Sequence, residues 1–233
     1  MNEKAYRVKE IFGPTIQGEG ARAGRAAIFI RLAGCNQWNG RPEDRASSAC
    51  PFCDTDFLGG EARTAASLID QASDLAGGRP ELYDVVLSGG EPLLQADPFV
   101  LRALASTFRS CQVETNGSRS ISASLSDLLA SGRLWVTVSP KVRPENLEIA
   151  FEMISEFKFV VPHPDERISP AEYFGAMARH FPPCFVQPIA DDRLGPAYLD
   201  QVRLSLPVAL ALVFEFPRVL RLSLQTHKMI GVQ

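Results

Sequence analysis

The sequence predicts an α/β protein with a mainly parallel sheet, and three observations carry that. Short runs of about 4–7 apolar, β-branched residues alternate with longer helix-like stretches. The runs are apolar nearly throughout, as expected for strands covered on both faces. Polar and glycine residues gather directly after consecutive runs. With 233 residues, 45% hydrophobic and 22% charged, the chain can bury a sizeable core. No repeat or low-complexity linker divides it, so 1–233 reads as a single domain.

The strands, in order, are Ala26–Leu32, 85–88, 111–114, 134–139, 157–161 and 185–189. Helical patterns fill 64–76, 98–106, 124–130, 144–155 and 170–180. In the first helix, Ala65, Leu68, Ile69, Ala72 and Leu75 form one apolar face at i, i+3, i+4 spacing. Pro98 and Pro170 suit a first helical turn, where a missing N–H loses no bond. The 199–216 segment contains Pro207 and reads as irregular. Six βα units fit an open Rossmann-like sheet or a partial barrel; a full eightfold barrel takes about 250 residues. In both architectures the chemistry lies at the carboxyl ends of the strands.

Those ends carry the chemistry-bearing residues. Gly34-Cys35 follows the first strand and Ser88-Gly89-Gly90-Glu91-Pro92 the second. The third gives Glu114-Thr115-Asn116-Gly117, the fourth Ser139-Pro140-Lys141, and the sixth Gln187-Pro188. Five such segments at one end of a sheet point to a shared site rather than to ordinary turns.

Three of the five cysteines form a C-x14-C-x2-C pattern: Cys35, Cys50 and Cys53. Cys111 and Cys184 stand among apolar neighbours at strand starts and read as small buried hydrophobes. A structural zinc site wants four protein ligands, and only His163, His180 or His227 could complete the trio. A redox C-x-x-C would not need Cys35. A [4Fe–4S] cluster on three thiolates would leave one iron open to a ligand.

Together these segments resemble radical S-adenosylmethionine enzymes, and among them the 7-carboxy-7-deazaguanine synthases. The resemblance runs from Glu10-Ile-Phe-Gly-Pro-Thr-Ile-Gln-Gly-Glu-Gly20 through Cys53-Asp-Thr55 and Ser88-Gly-Gly-Glu-Pro92 to Gln225-Thr-His-Lys228. The chain departs in spacing: the superfamily usually has three residues between the first two cysteines, and here there are fourteen, 36–49. That polar insert reads as a surface loop without ligands, which costs little closure entropy.

The resemblance implies a partial (βα)6 TIM-like barrel with a modified radical-SAM core. It implies a [4Fe–4S] cluster on Cys35, Cys50 and Cys53, and S-adenosylmethionine bound near Phe52, Asp54, Gly90, Glu91, Glu114, Ser139, Pro140, Lys141 and Gln187. The chemistry would belong to a 5′-deoxyadenosyl radical, with no catalytic side chain. The implied substrate is 6-carboxy-5,6,7,8-tetrahydropterin, held by Ile16, Gln17, Gly18, Glu19, Ser88, His227 and Gln233. Arg31 lies inside a strand, where an unpaired charge is costly; its fork suits the substrate carboxylate, the alternative being an internal ion pair with a glutamate. Thr55 would ligate Mg²⁺. A homodimer and an electron donor such as flavodoxin also follow from the resemblance. A radical activase acting on a partner protein would share the cluster but not the Gln17–Glu19 motif.

Composition argues against other classes. A net charge of −3 does not suit a protein gripping nucleic acid through many phosphates. The longest late apolar run, 208–214, falls short of the ~20 residues of a membrane span. A charged N-terminus without an apolar core suggests a cytoplasmic protein with reduced thiols.

Overall fold

The computed structural model of the chain describes residues 4–177 and 181–232. Each predicted strand forms, and three more join them in one nine-stranded sheet. The strands are β1 (Ala5–Ile16), β2 (Ala26–Leu32), β3 (Glu61–Thr64), β4 (Asp84–Gly89), β5 (Ser110–Thr115), β6 (Leu134–Val138), β7 (Glu156–Val161), β8 (Cys184–Pro188) and β9 (Leu220–Leu222). Their order is β3-β1-β2-β4-β5-β6-β7-β8-β9. From β2 onward every pairing is parallel and follows chain order. Strand β1 is antiparallel to both β2 and β3. Edge strands β3 and β9 do not pair with each other, so the sheet is not closed.

The helices are α1 (Ala65–Leu75), α2 (Pro98–Thr107), α3 (Ser126–Ala130), α4 (Pro170–Ala176), α5 (Tyr198–Gln201), α6 (Leu206–Glu215) and α7 (Thr226–Ile230). Thr64 caps α1 by accepting from Ser67 N, and Asp97 caps α2 by accepting from Val100 N. Leu68 and Ala72 of α1 and Leu101 and Leu104 of α2 share one buried core with Ile28, Ile30, Val85 and Leu87 of the sheet.

The opposite face of the sheet corrects the reading of strands apolar on both sides. A strand alternates its side chains between faces. While Cys111, Val113, Val136, Phe157 and Phe159 join the core, their alternates do not. Gln112, Glu114, Thr137, Glu156 and Lys158 are polar and turn to the other side, where they meet one another, and Gln187 accepts from Ser223 Oγ. The sheet therefore has an apolar face under helices and a polar face lining a cavity.

Three further expectations change. The 144–155 segment is two short 3-10 turns, Pro144–Asn146 and Phe151–Met153, not a helix. Its amides are taken elsewhere: Glu148 N donates to Gly117 O and Ser155 N to Val136 O. The fifth predicted helix ends at Ala176, and the 178–180 end of its predicted range lies outside the described residues. The 199–216 segment is helical, with Pro207 in the first turn of α6.

Strand β1 escaped the pattern reading because it contains Gly13-Pro14 and two register shifts against β2. Strand β3, Glu-Ala-Arg-Thr, is a polar edge without an apolar run. Among the described residues no helix is long and apolar enough to cross a membrane.

Candidate functional site

The carboxyl ends of β2 and β4–β8 open into one cavity of about 500 Å³. Its rim is set by close approach of two backbones. Gly90 N donates to Leu32 O at 3.2 Å and Glu91 N to Gly34 O at 2.9 Å. A Cβ on Gly89 would stand 2.0 Å from Leu32 O, and one on Gly90 2.0 Å from Gly34 O. The two glycines are thus required to bring the end of β4 against the loop that carries Cys35.

Glu91 is fully buried and wholly committed. It accepts from Thr115 Oγ1 at 2.8 Å, Asn116 N at 2.7 Å and Leu93 N at 2.9 Å. It ties the end of β4 to the end of β5.

Cys35, Cys50 and Cys53 border the same cavity. Burial, with repulsion from the other two sulfurs, pushes the Cys50 thiol up to about 11. Among the described residues no three His, Cys, Asp or Glu side chains are gathered as for a single metal ion. Three thiols bordering one cavity are a donor set that fits a [4Fe–4S] cluster with one iron left open. Lys141 stands beside the trio, donating to Ser139 Oγ at 2.8 Å and lying 5.6 Å from the Phe52 ring centroid.

The polar face supplies the floor. Lys158 is buried and bridges two carboxylates, Glu19 and Glu114, the latter at 2.9 Å. Burial disfavours ionised Glu19, but the Lys158 ammonium beside it outweighs this and holds its pKa below the ordinary value. Burial and the nearby Glu19 charge raise Glu114 instead. Gln17 orders both, donating to Glu114 Oε1 at 3.1 Å and accepting from Glu19 N at 3.1 Å.

The C-terminal segment closes the remaining side. Gln225 donates to Glu19 Oε1 at 2.7 Å, Thr226 N to Gly18 O at 3.0 Å, and Lys228 to Asp54 at 2.5 Å. Glu19 and the cysteine loop are thereby latched to α7. His227 Nδ1 and Arg31 Nε are buried with no hydrogen-bond partner, and both residues line the cavity. Burial lowers the His227 pKa, so the ring is neutral near pH 7.

The chain is similar to known proteins along nearly its whole length. A Bordetella pertussis protein named 7-carboxy-7-deazaguanine synthase is 41% identical over 98% of this chain and 99% of its own. A Burkholderia multivorans protein of the same name is 37% identical over 97% and 99%. The chain belongs to the 7-carboxy-7-deazaguanine synthase family. The crystal structure of QueE from Escherichia coli aligns over 95% of this chain and 94% of that one, with TM-score 0.62 and 26% identity. No family model matches the chain.

For this member of the 7-carboxy-7-deazaguanine synthase family, the structure gathers nearly every residue expected from sequence. Phe52, Asp54, Gly90, Glu114, Ser139, Lys141, Gln187, Ile16, Gln17, Glu19, Arg31, Ser88, His227 and Thr55 all line the cavity with the cysteines. Gly18, Glu91 and Pro140 are not among its lining residues, and Gln233 lies outside the described residues. Two residues have partners other than the expected ones. Asp54, expected near S-adenosylmethionine, pairs with Lys228. Arg31, expected on a carboxylate of the substrate, pairs with Glu10 at 2.9 Å across β1 and β2, and its buried Nε has no hydrogen-bond partner.

Lys158 and Gln225 are functional-site residues not singled out from the sequence. Lys158 was legible in principle, being the one charge inside the Phe157–Val161 apolar run, as Arg31 is in β2. Gln225 carried no signal beyond its place in Gln-Thr-His-Lys.

Proposed function

We propose that the chain is a radical S-adenosylmethionine lyase converting 6-carboxy-5,6,7,8-tetrahydropterin to 7-carboxy-7-deazaguanine with loss of ammonia, in queuosine and deazapurine biosynthesis. The observation that carries this is the shared cavity: the three-cysteine loop and the Gln17–Glu19 segment face one space of about 500 Å³. A [4Fe–4S] cluster on Cys35, Cys50 and Cys53, with S-adenosylmethionine, supplies one-electron radical chemistry there when bound.

The chain's own residues bind and orient. Lys141 brings a positive charge to the cysteine side, where a bound carboxylate would meet it. Phe52 offers a ring face toward the same region, and Ser139 and Gln187 offer polar contacts. On the substrate side, ionised Glu19 accepts from ring N–H groups. His227 and Arg31, the latter held by Glu10, line the same side of the cavity and bound the substrate space there. The stacked Phe12 and Phe29 rings, 5.1 Å apart, give part of the wall an apolar surface. The latch through Gln225 and Lys228 bounds the cavity on its C-terminal side.

Thr55 lines the cavity two residues after Cys53, a neutral oxygen donor of the kind Mg²⁺ accepts. There it would help hold the substrate carboxylate. The reading also takes the open sheet, wound one way, as a partial barrel, and carries with it a homodimer, a flavodoxin-class electron donor and a cytoplasmic setting. The deciding experiment is anaerobic incubation of reconstituted protein with S-adenosylmethionine, reductant and the carboxypterin. Product of the mass of 7-carboxy-7-deazaguanine supports the reading; reconstituted iron without that product refutes the substrate.

A further inference from the structure

The fourteen-residue insert is not a bare loop. Residues Pro42–Ser47 form a 3-10 turn, and the segment folds back onto the cysteine loop. Trp38 is nearly buried, edge-on to Phe57 with ring centroids 5.6 Å apart. The Arg45 guanidinium lies 4.4 Å from the centre of the Trp38 ring. From there Arg45 Nη1 donates to Cys53 O at 2.6 Å and reaches Pro51 O at 3.4 Å. At the other end of the insert, Gln37 N donates to Cys35 Sγ at 3.4 Å. The insert therefore bonds to one thiol of the trio directly, and sets a fixed positive charge on the backbone between the other two.

Hydrogen bonds to cysteine sulfur and nearby charge are the terms by which a protein sets an iron–sulfur potential. Resting on the proposed cluster, we propose that insert 36–49 tunes its reduction potential, with Arg45 as the positioning residue that raises it. One electron from an external reductant adds one negative charge to the cluster. A guanidinium held on the Pro51 and Cys53 carbonyls stabilises that product over the oxidised form. The stacking on Trp38 fixes the charge in place.

The test uses reconstituted protein without substrate, titrated with dithionite and read by electron paramagnetic resonance. Arg45→Gln should keep its iron while the reduced-to-oxidised ratio at fixed poise falls about threefold, or about 30 mV at 59 mV per tenfold for a one-electron couple. Arg45→Lys should recover part of that loss. Unchanged midpoint in Arg45→Gln with full iron overturns the proposal. If Arg45→Gln fails to hold iron, Arg45→Lys carries the test: an ammonium cannot fork onto the Pro51 and Cys53 carbonyls as the guanidinium does, so its midpoint must lie below wild type, and an unmoved value overturns the proposal. A wild-type chain that takes up no iron overturns the cluster reading and this proposal together, whereas an unmoved midpoint sinks only the latter.

Discussion

Gly18 and His227 are packed so closely that a Cβ on Gly18 would stand 1.9 Å from His227 Nδ1. The backbone bond from Thr226 N to Gly18 O, at 3.0 Å, holds the two segments at that spacing. Gly18→Ala must therefore push His227 and the latch outward. We expect kcat/KM to fall at least about tenfold, equal to ~1.4 kcal/mol, with iron content intact. Wild-type kinetics in this variant would show that the latch has no part in turnover.

Lys158 neutralises one of two buried carboxylates. Lys158→Met leaves Glu19 and Glu114 facing each other without a cation, a loss of about 3–5 kcal/mol by analogy with other buried pairs. Glu19 is now ionised because the ammonium opposes its burial. Removing the ammonium raises its pKa, so the ionised fraction falls at any given pH. The acid limb of the kcat/KM profile should move to higher pH, and thermal denaturation should show the lower stability. A profile superimposable on wild type would refute the role given to Glu19.

The cysteines divide by environment. Alanine at Cys35, Cys50 or Cys53 should abolish bound iron after anaerobic reconstitution, as each loses a thiolate. Alanine at Cys111 or Cys184 should leave iron unchanged, since both are buried away from the cavity. Full iron in Cys35→Ala would break the long-spacing ligand set.

Thr55→Ala should retain iron but lose most of the stimulation of turnover by Mg²⁺. Rates measured across a Mg²⁺ titration check this. An unchanged response would remove Thr55 from the metal site.

Asp97 illustrates a structural charge outside the site. It caps α2 at Val100 N and pairs with Lys4 at 2.8 Å. Although burial opposes it, these bonds hold its pKa below the ordinary value. A depressed carboxylate stabilises the fold above its unfolded pKa, and that contribution is lost as pH falls through the folded value. Asp97→Ala should cost about 1 kcal/mol, or roughly 2–4 °C in Tm, with no change in iron or kinetics. Calorimetry near pH 7 and again below pH 3 should show the difference shrinking in acid.

The reading from sequence reached the parallel core, the carboxyl-end location of the site and the cysteine trio. Those are local: a β-branched run, a Gly-Gly-Glu-Pro segment and a C-x2-C pair each carry their signal within a few residues. Strands β1, β3 and β9 did not announce themselves, because their pairing is set by neighbours rather than by an apolar run of their own. Segment 144–155 looked helical in isolation and lost its helix to two long-range backbone bonds.

By itself, then, the sequence determined which residues can do chemistry here and which family they belong to. Only the tertiary structure decided what those residues do for one another. Glu91 is spent on Thr115 and Asn116, Asp54 on Lys228, and Arg31 in part on Glu10. Lys158, one residue in an apolar strand, joins Glu19 and Glu114 because β7, β5 and the β1–β2 connection meet over one face of the sheet. Hydrogen bonds and ion pairs act within about 3–4 Å, and chain separations of 44 and 139 residues are brought inside that range only by folding.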